Sequence, residues 1–138
     1  MGAITVKEEI NVPADRLWRL VADFGRVPWI PGGDAARTEG SGPGMVRIFG
    51  AGDTEIRERL EQLNEADHSI VYTIPRGLPL PVRDYRSTMR VRSVSAASSE
   101  LDWSCTFTPD GVTEAEAAAQ LENLYRMMIG WIRDHLGA

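Results

Sequence analysis

The C-terminal end of the chain constrains the fold most. Thr113 is followed three residues later by Glu116, a pairing that closes a helix N-terminus by reciprocal hydrogen bonds. Beyond it Ala117, Leu121, Leu124, Tyr125, Met128, Trp131 or Ile132, and Leu136 recur at helical spacing and form one apolar stripe. A helix over 113–136 runs roughly 35 Å at ~1.5 Å per residue. Ahead of it, the period changes to two. In 83–94, Tyr85, Ser87, Met89 and Val91 share one face, and Arg86, Thr88, Arg90 and Arg92 the other. In 100–108, Leu101, Trp103, Cys105 and Phe107 oppose Asp102, Ser104, Thr106 and Thr108. Strands of that kind reach about 40 Å. A helix with one apolar stripe and a sheet with one apolar face of the same length cover each other.

The remaining segments add strands to that sheet. Ala3 to Asn11 reads as a strand, and Leu17, Trp18, Leu20, Val21 and Phe24 then recur at helical spacing after Pro13 and Asp15. "GRVPWIPGGD" breaks that helix, since Pro28 and Pro31 forbid a long one. Further strands are expected at 35–40, 45–50, 54–64 and 69–74, with "GSGPG" and "GAGD" as turns rather than phosphate loops, because both join strands. The expected class is α+β: a seven-stranded curved antiparallel sheet around a long C-terminal helix, with two short helices after the first strand. The order is β-α-α-β-β-β-β-β-β-α, in one domain over 1–138. A bent sheet cannot touch a straight helix everywhere, so a hollow is expected where they diverge, and that hollow is the expected binding site.

Composition narrows the function classes. The formal net charge of −5 argues against a non-specific nucleic-acid binder, which needs a basic face. The outward arginines Arg86, Arg90 and Arg92 read as a solvated stripe paired with acids. No apolar run approaches the ~20 residues of a membrane span, and no signal-peptide core is visible, so a cytoplasmic protein without stable membrane insertion is expected. One cysteine and two isolated histidines give no metal spacing, and neither metal nor cofactor is expected. Cys105 has no histidine near it in sequence and reads as core packing. The stretch "IPRGLPLPVRDYRS" stands out: three prolines and two leucines link two strands where a few polar turn residues would serve.

"VPADRLWRLVADFGRVPWIPG", "GPGMVRIFGAGDTEIRERLEQLN", "SIVYTIPRGLPLPVRDYRSTMRV" and "LDWSCTFTPDG" resemble the bacterial polyketide cyclase/dehydrase-like branch of the START-like superfamily, SRPBCC, over roughly residues 4–136. That superfamily includes the pollen allergens and the plant abscisic acid receptors. The resemblance implies the helix-grip fold with an internal apolar cavity. It also implies two loops at the cavity mouth, here "GAGDT" before Glu58-Arg59-Leu60 and "PRGLPLPV" before Asp84-Tyr85-Arg86-Ser87. The proline-rich loop then becomes a lid, stiffened by its prolines, with Leu78 and Leu80 offered to a ligand. The receptors' His-Arg-Leu lid signature is absent, so abscisic acid binding is not implied.

The resemblance also fixes which way the strands face. It turns inward Met45, Arg47 and Phe49, then Ile56, Glu58 and Leu60. Ile70, Tyr72 and Ile74 follow, with Tyr85, Ser87 and Met89, then Trp103, Cys105 and Phe107. The last helix adds Ala117, Leu121, Leu124, Tyr125 and Met128. Arg47 and Glu58 then lie on neighbouring strands in an apolar wall, either as a structural ion pair or as partners for a polar ligand group. The expected function is binding of a small hydrophobic or aromatic molecule, lipid- or polyketide-like, as carrier or sensor, by a monomer or homodimer. The alternative is a cyclase, aromatase or dehydratase, with Glu58 as base, Arg47 holding an oxygen, and Tyr72 or Tyr85 donating a proton or hydrogen bond.

Overall fold

The final helix is the axis of the molecule. In the computed structural model, which describes residues 1–138, it runs from Glu114 to Leu136 (α2). The Thr113 hydroxyl accepts from the Glu116 N–H at 3.1 Å, the cap that the sequence announces. At the other end Gly137 takes a left-handed conformation and the Ala138 N–H reaches the Arg133 carbonyl at 3.0 Å, which closes the last turn. Ala117, Leu121, Tyr125, Ile129, Ile132 and Leu136 form its buried stripe. Of the two candidates at the sixth stripe position, Ile132 is buried and Trp131 lies at the edge.

Seven strands form one antiparallel sheet: β1 (Gly2–Ile10), β2 (Arg37–Glu39), β3 (Val46–Phe49), β4 (Ile56–Asn64), β5 (Ser69–Arg76), β6 (Val82–Ser95) and β7 (Ser98–Pro109). The spatial order is β1-β7-β6-β5-β4-β3-β2, so the first strand pairs with the last and the rest form a meander. β6 and β7 are the long pair, and β1 and β7 lie against α2. Register shifts interrupt β4 against β5 at Arg57/Arg59 and Leu60/Gln62. Bulges bend the strand that carries them, and they curl this half of the sheet towards the helix. Arg126 and Arg133 of α2 both reach Glu8 of β1, and Arg133 also donates to the Glu9 carbonyl, which ties the helix to the sheet's edge. On the wet face, Arg92 pairs with Asp102 at 2.6 Å and with Glu100, and Arg90 with Asp67.

Between β1 and β2 lies α1 (Ala14–Ala22), whose Leu17, Trp18 and Val21 are buried. The second short helix expected here is a single 3₁₀ turn over Gly33–Ala35. Pro31 supplies no amide hydrogen, Gly32 is left-handed, and a Cβ on Gly33 would meet the Val27 carbonyl at 2.1 Å. The segment folds back on itself too tightly for a longer helix, and its doubling back carries Trp29 and Ile30 over the open end of the groove. No helix is long and apolar enough to cross a membrane.

Candidate functional site

A cavity of about 300 Å³ opens between the curled half of the sheet and the C-terminal half of α2. Sixteen residues line it, 13 of them hydrophobic. β3 and β4 supply Arg47, Phe49, Ile56 and Glu58; β5 supplies Tyr72 and Ile74; Tyr85 and Trp103 come from β6 and β7. α2 contributes Leu124, Met128 and Trp131, and loops contribute Trp29, Ile30, Leu78, Pro79 and Leu80. A mostly apolar hollow with a few placed polar groups is the usual form of a small-molecule site.

The mouth is built by two loops that meet. Residues 77–81 join β5 to β6, and Gly77, at φ +82°, passes so close to the other loop that a Cβ there would lie 2.1 Å from the Glu55 carbonyl oxygen. Glu55 itself sits among arginines. Arg57 Nε donates to it at 2.5 Å, and Arg37 and Arg76 lie at 3.5 and 3.9 Å. The Arg57 hydrogen bond holds the Glu55 carboxyl below the usual carboxylate range. Arg76 is the last residue of β5, so this cluster also spans the two loops.

At the inner end, Arg47 and Glu58 stand directly opposite one another on β3 and β4. Arg47 Nε donates to Glu58 Oε1 at 2.5 Å, and Arg47 Nη1 donates to the Phe24 carbonyl at 3.2 Å. The guanidinium also lies 4.0 Å above the Phe24 ring centre. A carboxylate, a carbonyl and an aromatic face thus meet the one positive charge in the wall, as burial of a guanidinium requires. Glu58 Oε2 makes no hydrogen bond within the protein and is the unpaired acceptor of the site.

Behind the cavity wall runs a chain of hydroxyls. Trp103 Nε1 donates to Ser87 Oγ at 3.0 Å, Ser87 Oγ lies 2.9 Å from Tyr125 Oη, and Tyr125 Oη is hydrogen-bonded to Tyr85 Oη. Burial pushes the Tyr85 and Tyr125 hydroxyls well above the ordinary tyrosine range, and burial followed by the Glu58 charge raises Tyr72.

The structure gathers most of the residues expected in the site and sets others apart. Arg47, Phe49, Ile56, Glu58, Tyr72, Ile74, Leu78, Leu80, Tyr85, Trp103, Leu124 and Met128 line the cavity. Met45 and Leu60 do not. Phe24, with Arg47 stacked on it, blocks the groove there, and those two side chains face a shallow hollow on the other side. Ser87, Met89, Cys105, Leu121 and Tyr125 point the expected way but are packed beneath the wall, in the core. So are Ile70, Phe107 and Ala117. Burial raises the Cys105 thiol, which leaves it protonated and unreactive. Neither histidine lines the cavity: His68 stacks on Trp18 at 5.1 Å, and His135 lies in the last turn of α2. No group of histidine, cysteine and carboxylate side chains has the arrangement of a metal site.

Sequence reasoning missed Trp29, Ile30 and Pro79, and left Trp131 undecided. The signal was present in "VPWIPG", an aromatic-aliphatic pair between prolines. Two apolar residues in a loop that cannot be a helix or a strand have to be buried by the fold around them.

A profile described as "Polyketide cyclase / dehydrase and lipid transport" matches residues 1–136. The chain belongs to this family. Among solved structures, an uncharacterised protein of Bacillus thuringiensis is 27% identical with a TM-score of 0.81, over 99% of this chain and 100% of that one. The di-domain aromatase/cyclase BexL of the BE-7585A biosynthetic pathway is 20% identical with a TM-score of 0.74, over 99% of this chain and 47% of that one. Norcoclaurine synthase of Thalictrum flavum, in complex with dopamine and hydroxybenzaldehyde, is 19% identical with a TM-score of 0.64, over 93% of this chain and 86% of that one. Those two likenesses establish the shared helix-grip fold. No curated protein matches the chain.

Proposed function

We propose that the chain binds one small, mainly apolar aromatic or lipid-like molecule between the sheet and α2, and acts as its carrier or sensor. The observation that carries this reading is the cavity itself, about 300 Å³ with 13 hydrophobic residues among the 16 that line it. A volume of that size suits a flat molecule of two or three fused rings. Aromatic faces are ready for it: Trp29, Phe49, Tyr72, Tyr85, Trp103 and Trp131 all line the space. The ligand enters past residues 77–81, and Leu78 and Leu80 close over it.

Three of the four tryptophans line the cavity, so their fluorescence tests the reading. N-phenyl-1-naphthylamine, a neutral apolar probe, is expected to quench them saturably at micromolar concentration and to be recovered unchanged. Quenching that never saturates, or that survives Trp103→Phe, Trp29→Phe and Trp131→Phe together, would refute a bound guest.

A second reading, a cyclase or dehydratase, draws on the family description and on one feature of the site, the unpaired Glu58 Oε2. In that reading Glu58 takes a proton from a carbon flanked by carbonyls, and Arg47, with Tyr72 or Tyr85, stabilises the enolate oxygen. The arrangement favours it less, because Arg47 is already engaged by Glu58, the Phe24 carbonyl and the Phe24 ring. Turnover of a poly-β-keto thioester that disappears in Glu58→Gln would promote the enzyme reading over the carrier one.

A further inference from the structure

Ser87, at the middle of β6 and fully buried, has more partners than its hydroxyl has protons. Its Oγ lies 3.0 Å from Trp103 Nε1, 2.9 Å from the Ser104 carbonyl oxygen and 2.9 Å from Tyr125 Oη. An indole N–H only donates and a carbonyl only accepts. If Ser87 gives its single proton to Ser104, its two lone pairs serve Trp103 and Tyr125. Tyr125 then donates to Ser87 and must accept from Tyr85. All four contacts are made. In the reverse order Ser87 donates to Tyr125 and Tyr125 to Tyr85, the Ser87–Ser104 contact goes unmade, and three bonds remain. One additional hydrogen bond away from water favours the first order by roughly fivefold to tenfold.

We propose that this chain is polarised inward, so that Tyr85 meets a ligand as a hydrogen-bond acceptor, and the cavity prefers aromatic molecules bearing a hydroxyl over isosteres that can only accept. The inference rests on the binding reading above and deepens it. It reverses the donor role that the sequence suggests for Tyr85. Tyr85 lines the cavity with its proton spent on Tyr125, and the neighbouring polar group, Glu58 Oε2, is also an acceptor. Tyr72 lines the same wall with its hydroxyl beside those of Tyr85 and Ser87, and in this scheme its proton turns to the cavity. An aryl hydroxyl satisfies both sides, donating to Tyr85 or Glu58 and accepting from Tyr72. An aryl ether satisfies Tyr72 alone. A carboxylate would bring a second negative charge beside Glu58. Ser87 and Tyr125 touch no ligand in this scheme; they are positioning residues that set the direction of the Tyr85 hydroxyl.

The test compares 2-naphthol with 2-methoxynaphthalene on the full chain, by tryptophan quenching and calorimetry. The wild type is expected to bind the naphthol at least fivefold more tightly. In Tyr125→Phe, Tyr85 loses its inward acceptor and turns its proton to the cavity, so the preference shrinks to about twofold, mainly through tighter binding of the ether. A purely structural role for Tyr125 would weaken both ligands alike and leave the ratio unmoved. Tyr85→Phe removes the acceptor outright and is the second variant, with the same narrowing expected. A wild-type ratio within twofold, or a ratio unchanged in both variants, overturns the inference while leaving the binding reading intact. Failure of both naphthalenes and of N-phenyl-1-naphthylamine to bind overturns the binding reading, and this inference with it.

Discussion

Arg47 on β3 and Glu58 on β4 face each other at directly paired positions, joined at 2.5 Å by Nε and Oε1, with the arginine side chain 6% exposed and the glutamate 13%. Removing one partner strands the other charge in an apolar wall, whereas removing both leaves none. Arg47→Met is therefore expected to destabilise the fold by about 2–4 kcal/mol, and Arg47→Met with Glu58→Gln by distinctly less than the two single changes added. Urea unfolding of the three variants measures this. Additive losses would mean that the two charges are not coupled.

All three tyrosines of the chain, Tyr72, Tyr85 and Tyr125, have hydroxyls raised above the ordinary value, chiefly by burial. The folded state therefore keeps phenol protons that the unfolded state releases near pH 10, and stability falls as pH rises past that point. The loss amounts to about 1.4 kcal/mol per pH unit for each tyrosine held neutral. An absorbance titration at 295 nm is expected to show no tyrosinate in the folded protein near pH 10, then one cooperative rise as the chain unfolds. Tyr125→Phe should flatten the alkaline decline in stability. A gradual single-proton titration centred at pH 10 in folded protein would contradict the burial of these hydroxyls.

Gly77 holds the mouth closed, with its left-handed backbone pressed on the Glu55 carbonyl. Gly77→Ala demands both a strained φ and more room, and is expected to cost about 1–3 kcal/mol. Because the two mouth loops must separate, affinity for N-phenyl-1-naphthylamine should also fall severalfold, with dissociation faster than in the wild type. Unaltered dissociation from a folded variant would remove the lid role of residues 77–81.

Gly130 lies within α2, and a Cβ there would meet nothing within 4 Å. The glycine therefore serves no close approach; the geometry shows open space. Gly130→Ala is expected to stabilise the protein by about 0.5–1 kcal/mol and raise Tm by roughly 3 °C, since alanine gains helix propensity at no steric cost. A lower Tm would show that the helix needs to bend at this position.

How much was legible differs from element to element. The capping pair Thr113 and Glu116 and the stripe ending at Leu136 announced α2. The alternation from Tyr85 to Val91 and from Leu101 to Phe107 announced the two long strands. These signals are local, since a helix repeats every 3.6 residues and a strand every two, and burial on one face writes that period into the side chains. That Arg47 and Glu58 share one wall followed from the facing that the family resemblance implied, and their pairing was one of two readings left open. Parity carries no information on distance along a groove, however. It could not tell that Phe24 blocks the channel between Phe49 and Met45, or that Ser87 and Tyr125 stop just short of the cavity.

What the sequence determined by itself is therefore most of the elements and, for the final helix and the two long strands, the face turned inward. Only the tertiary structure decided where the hollow begins and ends, because that depends on the β4 bulges that curl the sheet and on a proline-bound loop that swings Trp29 across from the far side of the chain. It also decided the direction of the Tyr85 hydroxyl, because a single proton on Ser87 has to be shared among partners that meet only after folding.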